Sequence, residues 1–241
     1  MTNETLQLPQ IQVDFHRPLP DICRVLLLGG RPPAIDWLHA ALVTLPTPEI
    51  WAVDHGIDLC RQSDLPPHLL IGDADSAIPE NWAWGCRSAT RVERHPVEKD
   101  LTDTQLALMR AAKGSPSVLL LSGAFGGRFD HAFSTIFSAA QHLGTCLLAD
   151  EAEIMLFVHS GEQLSIKCLQ APQALSLLPL TAQVQGVTLR GTHWPLVNAT
   201  LTQTCPNAVS NVLEGTHRHV DVSVAQGTLG LYLCYEGTFP M

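Results

Sequence analysis

Five short apolar runs, Arg24 to Leu28, Ile50 to Val53, Leu69 to Ile71, Val118 to Leu121 and Cys146 to Leu148, constrain the fold more than any other feature. They lack the polar alternation of half-exposed strands and are too short for buried helices, which is the pattern of strands covered on both faces. The first run closes on Gly29-Gly30, and segments of helical character, such as Ala34 to Val43, separate the runs. Strands alternating with helices predict a mostly parallel sheet with helices on its faces. The clearest helix starts near Thr102. There Thr102-Asp103-Thr104-Gln105 fits a capping box, and Leu106, Met109 and Ala112/Lys113 follow at helical spacing. Another is predicted from about His131 to Leu143.

After about Ser160 the pattern changes. Gln163 to Cys168, Ala174 to Leu178, Gly186 to Arg190, Ala199 to Thr204, His219 to Val224 and Thr228 to Tyr235 are short, β-prone and separated by Gly, Pro or Asn. Strands without intervening helices predict an antiparallel β-sandwich or barrel. The expected fold class is therefore an N-terminal, mostly parallel α/β sandwich domain over residues 21–159, followed by a β-sandwich domain over residues 160–241. Residues 1–20, polar and proline-bearing, read as an N-terminal extension. A length of 241 residues suits one to two domains.

The formal net charge is −9, from 14 Lys+Arg against 23 Asp+Glu, and no basic cluster tracks a nucleic-acid backbone. Such a chain meets a metal-bound polyphosphate more readily than a free one. Seven cysteines show no Cys-x-x-Cys or zinc-like spacing and read as reduced thiols. The N-terminus lacks the basic start and apolar core of a signal peptide, and no stretch reaches the ~20 apolar residues of a spanning helix. A cytoplasmic protein with no nucleic-acid or membrane partner is expected.

Ligands of open α/β sheets collect at the carboxyl ends of the strands, where Asp54, Gly72-Asp73-Ala74-Asp75-Ser76 and Gly123 to Gly127 all fall. Magnesium takes hard oxygen ligands, and Asp73, Asp75 and Asp100 are candidates. Aspartates at such places serve equally as turn residues, and Asp100 and Asp103 beside Thr102 suit a helix start. The glycines of Gly123 to His131 let backbone amides approach an anion, and Arg128 adds a bidentate phosphate contact; a flexible strand-to-helix turn is the alternative. No Gly-Lys-Ser/Thr loop or Gly-x-Gly-x-x-Gly is present.

The ordered set Val53-Asp54-His55-Gly56, Gly72-Asp73-Ala74-Asp75-Ser76, Glu98-Lys99-Asp100-Leu101-Thr102-Asp103 and Gly126-Gly127-Arg128-Phe129-Asp130-His131 resembles the thiamine pyrophosphokinase family. Gly191 to Leu196, Val209-Ser210-Asn211 and Gly227-Thr228-Leu229 are similar to that family's thiamine-binding β-domain. The resemblance implies a homodimer with active sites between subunits. It also implies a reaction, ATP plus thiamine giving thiamine diphosphate plus AMP, with Mg²⁺ as cofactor. Asp73, Asp75 and Asp100 would bind magnesium and, with Arg128 and Asp130, carry catalysis. Asp54, Thr102, Asp103, Gly126, Gly127, Arg128 and His131 would hold the nucleotide. Ser210 and Asn211 would bind thiamine, and Trp194 would line its pocket or pack in the core. Departures from the family pattern fall at His55, Ala74, Thr135 and Val212. Paired carboxylates alone also suit pyrophosphoryl transfer to another alcohol such as a hydroxymethyl-pterin, a glycosyltransferase, or a non-catalytic thiamine or nucleotide sensor.

Overall fold

The computed structural model describes residues 4–235. In chain order the first elements are β1 (Thr5–Gln7), β2 (Ile11–Asp14), β3 (Cys23–Leu27), α1 (Ile35–Thr44), β4 (Pro48–Val53), α2 (Gly56–Gln62) and β5 (Leu69–Gly72). There follow α3 (Pro79–Ser88), β6 (Arg91–Arg94), α4 (Asp103–Ala112), β7 (Val118–Ser122), α5 (Phe129–Ala139) and β8 (Cys146–Ala149). The rest is strand: β9 (Glu153–Val158), β10 (Gln163–Cys168), β11 (Ala174–Pro179), β12 (Gln183–Arg190), β13 (Leu196–Thr202), β14 (His219–Ser223) and β15 (Leu229–Cys234). No helix among the described residues is long and apolar enough to cross a membrane.

The described residues divide into two compact units. One comprises Pro20–Ile35 and Pro46–Ala149. Its strands are parallel, in the order β8-β7-β3-β4-β5-β6. Every residue of β3, β5, β7 and β8 is buried, as the continuous apolar runs require. The chain leaves β3 toward β4 on one side, whereas β7 lies on the other. The strand order reverses there, which opens a crevice at the carboxyl ends of β3 and β7.

Helix α4 forms where the capping box predicts it: Thr102 Oγ1 accepts the Gln105 N–H at 3.2 Å, and Gln105 Oε1 accepts the Thr102 N–H at 3.0 Å. Its buried stripe, however, is Ala107, Leu108 and Ala111, and Met109 is exposed. Two alanines four residues apart let the helix lie close to the sheet, which the larger Leu106 and Met109 would prevent. Helix α5 starts at Phe129, two residues before the expected His131, with Arg128 as its N-cap.

Arg24 stands inside the first apolar run yet is buried. Its guanidinium donates to Glu49 Oε2 at 3.1 Å, to the Ser115 carbonyl at 2.9 Å and to the Ser115 and Ser117 hydroxyls, both at 2.9 Å. It also lies 5.1 Å from the Trp51 ring centre. Removing one member of such a cluster strands the others. Arg24→Met is expected to lower stability by about 2–4 kcal/mol in urea unfolding, and Arg24→Met with Glu49→Gln by less than the sum of the two single changes.

The second unit contains the described residues of Met1–Leu19, Asp36–Leu45 and Asp150–Met241. Antiparallel strands run β1-β2-β10-β14-β12-β13, and β11-β15-β9 form a second antiparallel group. The expected boundary at residues 159/160 thus differs from the division near Asp150. Asp150 Oδ1 accepts the Ala152 and Glu153 amides at 2.8 Å each, turning the chain so that β9 runs antiparallel to β15. Its apolar sequence alone resembles the parallel strands.

The expected extension over residues 1–20 is, in its described part, a hairpin rather than a loose arm. Leu6, Leu8, Ile11, Val13 and Phe15 are buried, and β2 pairs with β10. Residues 1–3 of that extension, and 236–241 of the expected β-sandwich domain, lie outside the described residues. Helix α1 belongs to this unit as well: Trp37 Nε1 donates to Gln10 Oε1 at 2.7 Å, and Thr44 Oγ1 to the Gln7 carbonyl at 2.8 Å.

Candidate active site

A cavity of about 580 Å³ opens at the carboxyl edge of the parallel sheet. Asp54 follows β4, Asp73 and Asp75 follow β5, Lys99 to Asp103 follow β6, and Gly126 and Arg128 follow β7. Of the residues expected here, Asp54, Asp73, Asp75, Asp100, Thr102, Asp103, Gly126, Arg128 and His131 all line it. Gly127 and Asp130 stand beside the wall rather than in it. The loops after β3 and β7 are tied together: Gly30 N donates to the Gly123 carbonyl at 2.8 Å and Arg31 N to the Phe125 carbonyl at 2.6 Å.

Local backbone geometry aims the carboxylates. Asp54 (φ 48°) and Ala74 (φ 72°) adopt the left-handed region, which L-residues enter at a cost of about 1 kcal/mol or more. The turn at Ala74 breaks strand alternation, so Asp73 points inward, 7% exposed, while Asp75 is exposed. The Asp75 N–H closes back on Asp73 Oδ1 at 3.2 Å. Ser76 Oγ donates to Asp54 Oδ2, and His55 Nδ1 donates to the Ser76 carbonyl at 2.9 Å. Asp58 accepts from the Ile78 amide and from Asn81 Nδ2 at 2.9 Å. His55 and Ser76 stand in the sequence motifs without an assigned role, and Asp58 lies outside those motifs; its three-residue spacing from His55 at a helix start is the signal for it.

One oxygen each of Asp54, Asp73 and Asp103 lies within 4.8 Å of the others. Of the three ligands expected from sequence, Asp73 belongs to this group, whereas Asp75 and Asp100 line the same cavity without joining it. The Lys99 ammonium bonds Asp73 Oδ2 and lies 3.2 Å from Asp103 Oδ2. Burial pushes the Asp73 carboxyl up, but Lys99 and the Asp75 amide outweigh it and hold the group below its ordinary value. Asp103 is raised, by burial first and then by the charges of Asp73 and Asp54, against the pull of Lys99. Asp75 is raised by desolvation and by Asp73. Burial opposes the charge on Lys99, yet its bonds to Asp73 and Asp103 win and raise it. At the rim, Arg128 clasps Asp130 through Nε at 3.1 Å and Nη2 at 2.6 Å, an exposed pair.

The donor set suits a hard divalent cation, since all three converging groups are carboxylates. Asp54 Oδ1 and Asp103 Oδ1 are also buried without a hydrogen-bond partner among the described residues, as oxygens that await a cation would be.

The second unit holds a cavity of about 370 Å³ with apolar walls that include Leu177, Leu189, Leu196 and Val209. Trp194 stands at it 58% exposed, which excludes core packing as its role, with the His193 ring edge-on at 4.5 Å. Asn211 is buried and holds this segment with its whole amide. Its Oδ1 accepts the Trp194 and Val212 amides at 3.1 and 2.9 Å; its Nδ2 donates to Thr192 Oγ1 at 3.2 Å and the Trp194 carbonyl at 2.8 Å. Ser210 (φ 59°) is exposed beside it, and its amide donates to Ser176 Oγ at 3.1 Å.

An acidic, glycine-flanked cavity at the switch point of a parallel sheet, in a chain with a second antiparallel unit, defines a two-part α/β protein. Two family models match: "Thiamin pyrophosphokinase, catalytic domain" over residues 46–148 and "Thiamin pyrophosphokinase, vitamin B1 binding domain" over residues 163–229. The chain belongs to the thiamine pyrophosphokinase family. It is 27% identical over 184 residues to thiamine pyrophosphokinase of Bacillus subtilis (strain 168), covering 75% of this chain and 85% of that one. With thiamine pyrophosphokinase 1 of Oryza sativa subsp. japonica it shares 25% over 158 residues, 61% of this chain and 60% of the relative. The crystal structure of the Bacillus subtilis enzyme has the same fold, with a TM-score of 0.75 at 23% identity over 89% of this chain and 99% of that one.

Proposed function

We propose that this chain transfers the pyrophosphoryl group of ATP to the hydroxyl of thiamine, giving thiamine diphosphate and AMP. The observation that carries the reading is the convergence of Asp54, Asp73 and Asp103, the last two paired with Lys99, in a cavity also lined by a glycine loop and Arg128. Asp54, Asp73 and Asp103 would hold Mg²⁺, with Asp75 and Asp100 completing the acidic wall. When bound, the cation neutralises phosphate charge and helps orient the chain. The backbone from Gly123 to Gly127 and the Arg128 guanidinium hold phosphate oxygens, with Thr102 and His131 on the nucleotide side and Asp130 fixing the arginine fork. Held in line, the thiamine hydroxyl attacks the β-phosphorus and AMP leaves.

The apolar cavity beside Trp194 suits the thiamine rings, with Asn211 setting the position of Trp194 and the Ser210 hydroxyl exposed for a polar contact. We read the functional form as a homodimer with active sites between subunits. Seven unpaired cysteines support a reducing, cytoplasmic setting.

Purified protein with thiamine, ATP and Mg²⁺ is expected to release AMP in step with thiamine diphosphate, measured by chromatography of both products. Release of ADP, turnover with a hydroxymethyl-pterin in place of thiamine, or binding without turnover would overturn the assignment.

A further inference from the structure

Lys99 pairs with two of the three carboxylates that a cation would use. Its ammonium bonds Asp73 Oδ2 and stands 3.2 Å from Asp103 Oδ2, and its side chain is only 15% exposed. Those two carboxylates, with Asp54, are the ones whose oxygens fall within 4.8 Å of one another. Three like charges this close repel strongly in a partly desolvated site, and one ammonium offsets part of that repulsion. Lysine suits such a post, being a compact charge with three donors on a flexible stem. An ammonium and a divalent ion drawn to the same carboxylates would repel each other strongly at such short range.

We propose that Lys99 is the resident counter-cation of this site: it holds the carboxylates together in the unloaded protein, leaves them when a divalent cation arrives, and then meets the phosphate oxygens that follow. Its position allows the exchange. Lys99 lies in the connection between β6 and α4, where Val97, Glu98, Asp100 and Leu101 are all exposed, so the stem can swing without disturbing either element. The site then gains a mobile positive charge at the moment its anionic ligand enters, and the net charge of the cluster changes by less than a bare divalent ion would impose.

This inference rests on the reading of Asp54, Asp73 and Asp103 as cation ligands, and one experiment separates the two. The other lysines of the chain, Lys113 and Lys167, are exposed and serve as internal references. The intact protein is acetylated briefly with and without Mg²⁺, with no nucleotide present, and each lysine is followed by mass spectrometry while Mg²⁺ binding is measured by calorimetry. Lys99 is expected to be slow without Mg²⁺ and several-fold faster with it, while Lys113 and Lys167 stay constant. Inorganic pyrophosphate added with Mg²⁺ is expected to slow Lys99 again. Measurable Mg²⁺ binding with unchanged or slower Lys99 acetylation would overturn the exchange and leave the cation ligands standing. Continued fast acetylation in the presence of pyrophosphate would remove the phosphate contact. Failure of the protein to bind Mg²⁺ at all would overturn both readings together.

Discussion

Asp73→Asn is expected to reduce thiamine-dependent AMP formation by at least about 10³-fold at saturating Mg²⁺, because in the proposed reaction Asp73 helps hold the cation that neutralises and orients the phosphate chain, a contribution of several kcal/mol. The substitution keeps the shape of the side chain, and the amide oxygen can replace Asp73 Oδ1, which accepts the Asp75 N–H at 3.2 Å. It removes the charge. Stability moves far less, because two effects oppose each other. Asp73 has a depressed carboxyl, so it stabilises the fold above the ordinary carboxylate range, and that contribution is lost as pH falls through the lower folded value. The raised carboxyls of Asp75 and Asp103 work the other way at neutral pH, and both relax when the neighbouring charge is gone. A change within about 1 kcal/mol in urea unfolding is expected, with a native circular dichroism spectrum. Near-wild-type turnover would take Asp73 out of the metal set. Recovery at high Mg²⁺ would restrict it to affinity.

What could be read from the sequence was local. The apolar runs of β3, β4, β5, β7 and β8 needed no partner to be recognised, and the box at Thr102 is complete within four residues. The hairpin of β1 and β2 was not legible for the opposite reason. Its alternation is interrupted at Pro9, and its pairing partner β10 lies some 150 residues later, with Asp14 opposite Ser165. The site divides in the same way. Asp73 stands out as the end of a strand, but which carboxylates join it depends on two left-handed residues, Asp54 and Ala74, and on β4 lying next to β5. Asp100 and Asp103 look equivalent in the sequence. The cap at Thr102 separates them, putting Asp103 into the first turn of α4 beside Lys99 and leaving Asp100 exposed.

Gly56→Ala is expected to be among the most damaging single changes in the chain, although Gly56 sits in a motif that the family resemblance associates with the ligand. A Cβ built there falls 1.8 Å from the Leu27 carbonyl oxygen and 2.5 Å from its carbon. Those are backbone atoms of a buried strand, so no side chain can rotate away and α2 would have to lift off the end of β3. A loss of about 3 kcal/mol or more follows, with the thermal midpoint lowered by roughly 10 °C. Gly161→Ala separates this from backbone strain. At φ 78° it enters the left-handed region with nothing within 4 Å of the new methyl, so only about 1–2 kcal/mol is expected. Equal losses at the two positions would show that the close approach of α2 to Leu27 does not matter. Turnover should fall in Gly56→Ala even under conditions where it remains folded, because Asp54 and His55 immediately precede the displaced helix. Gly56 therefore acts on the carboxylates through packing, as the residue that lets α2 begin close enough to β3 for Asp54 to reach Asp73.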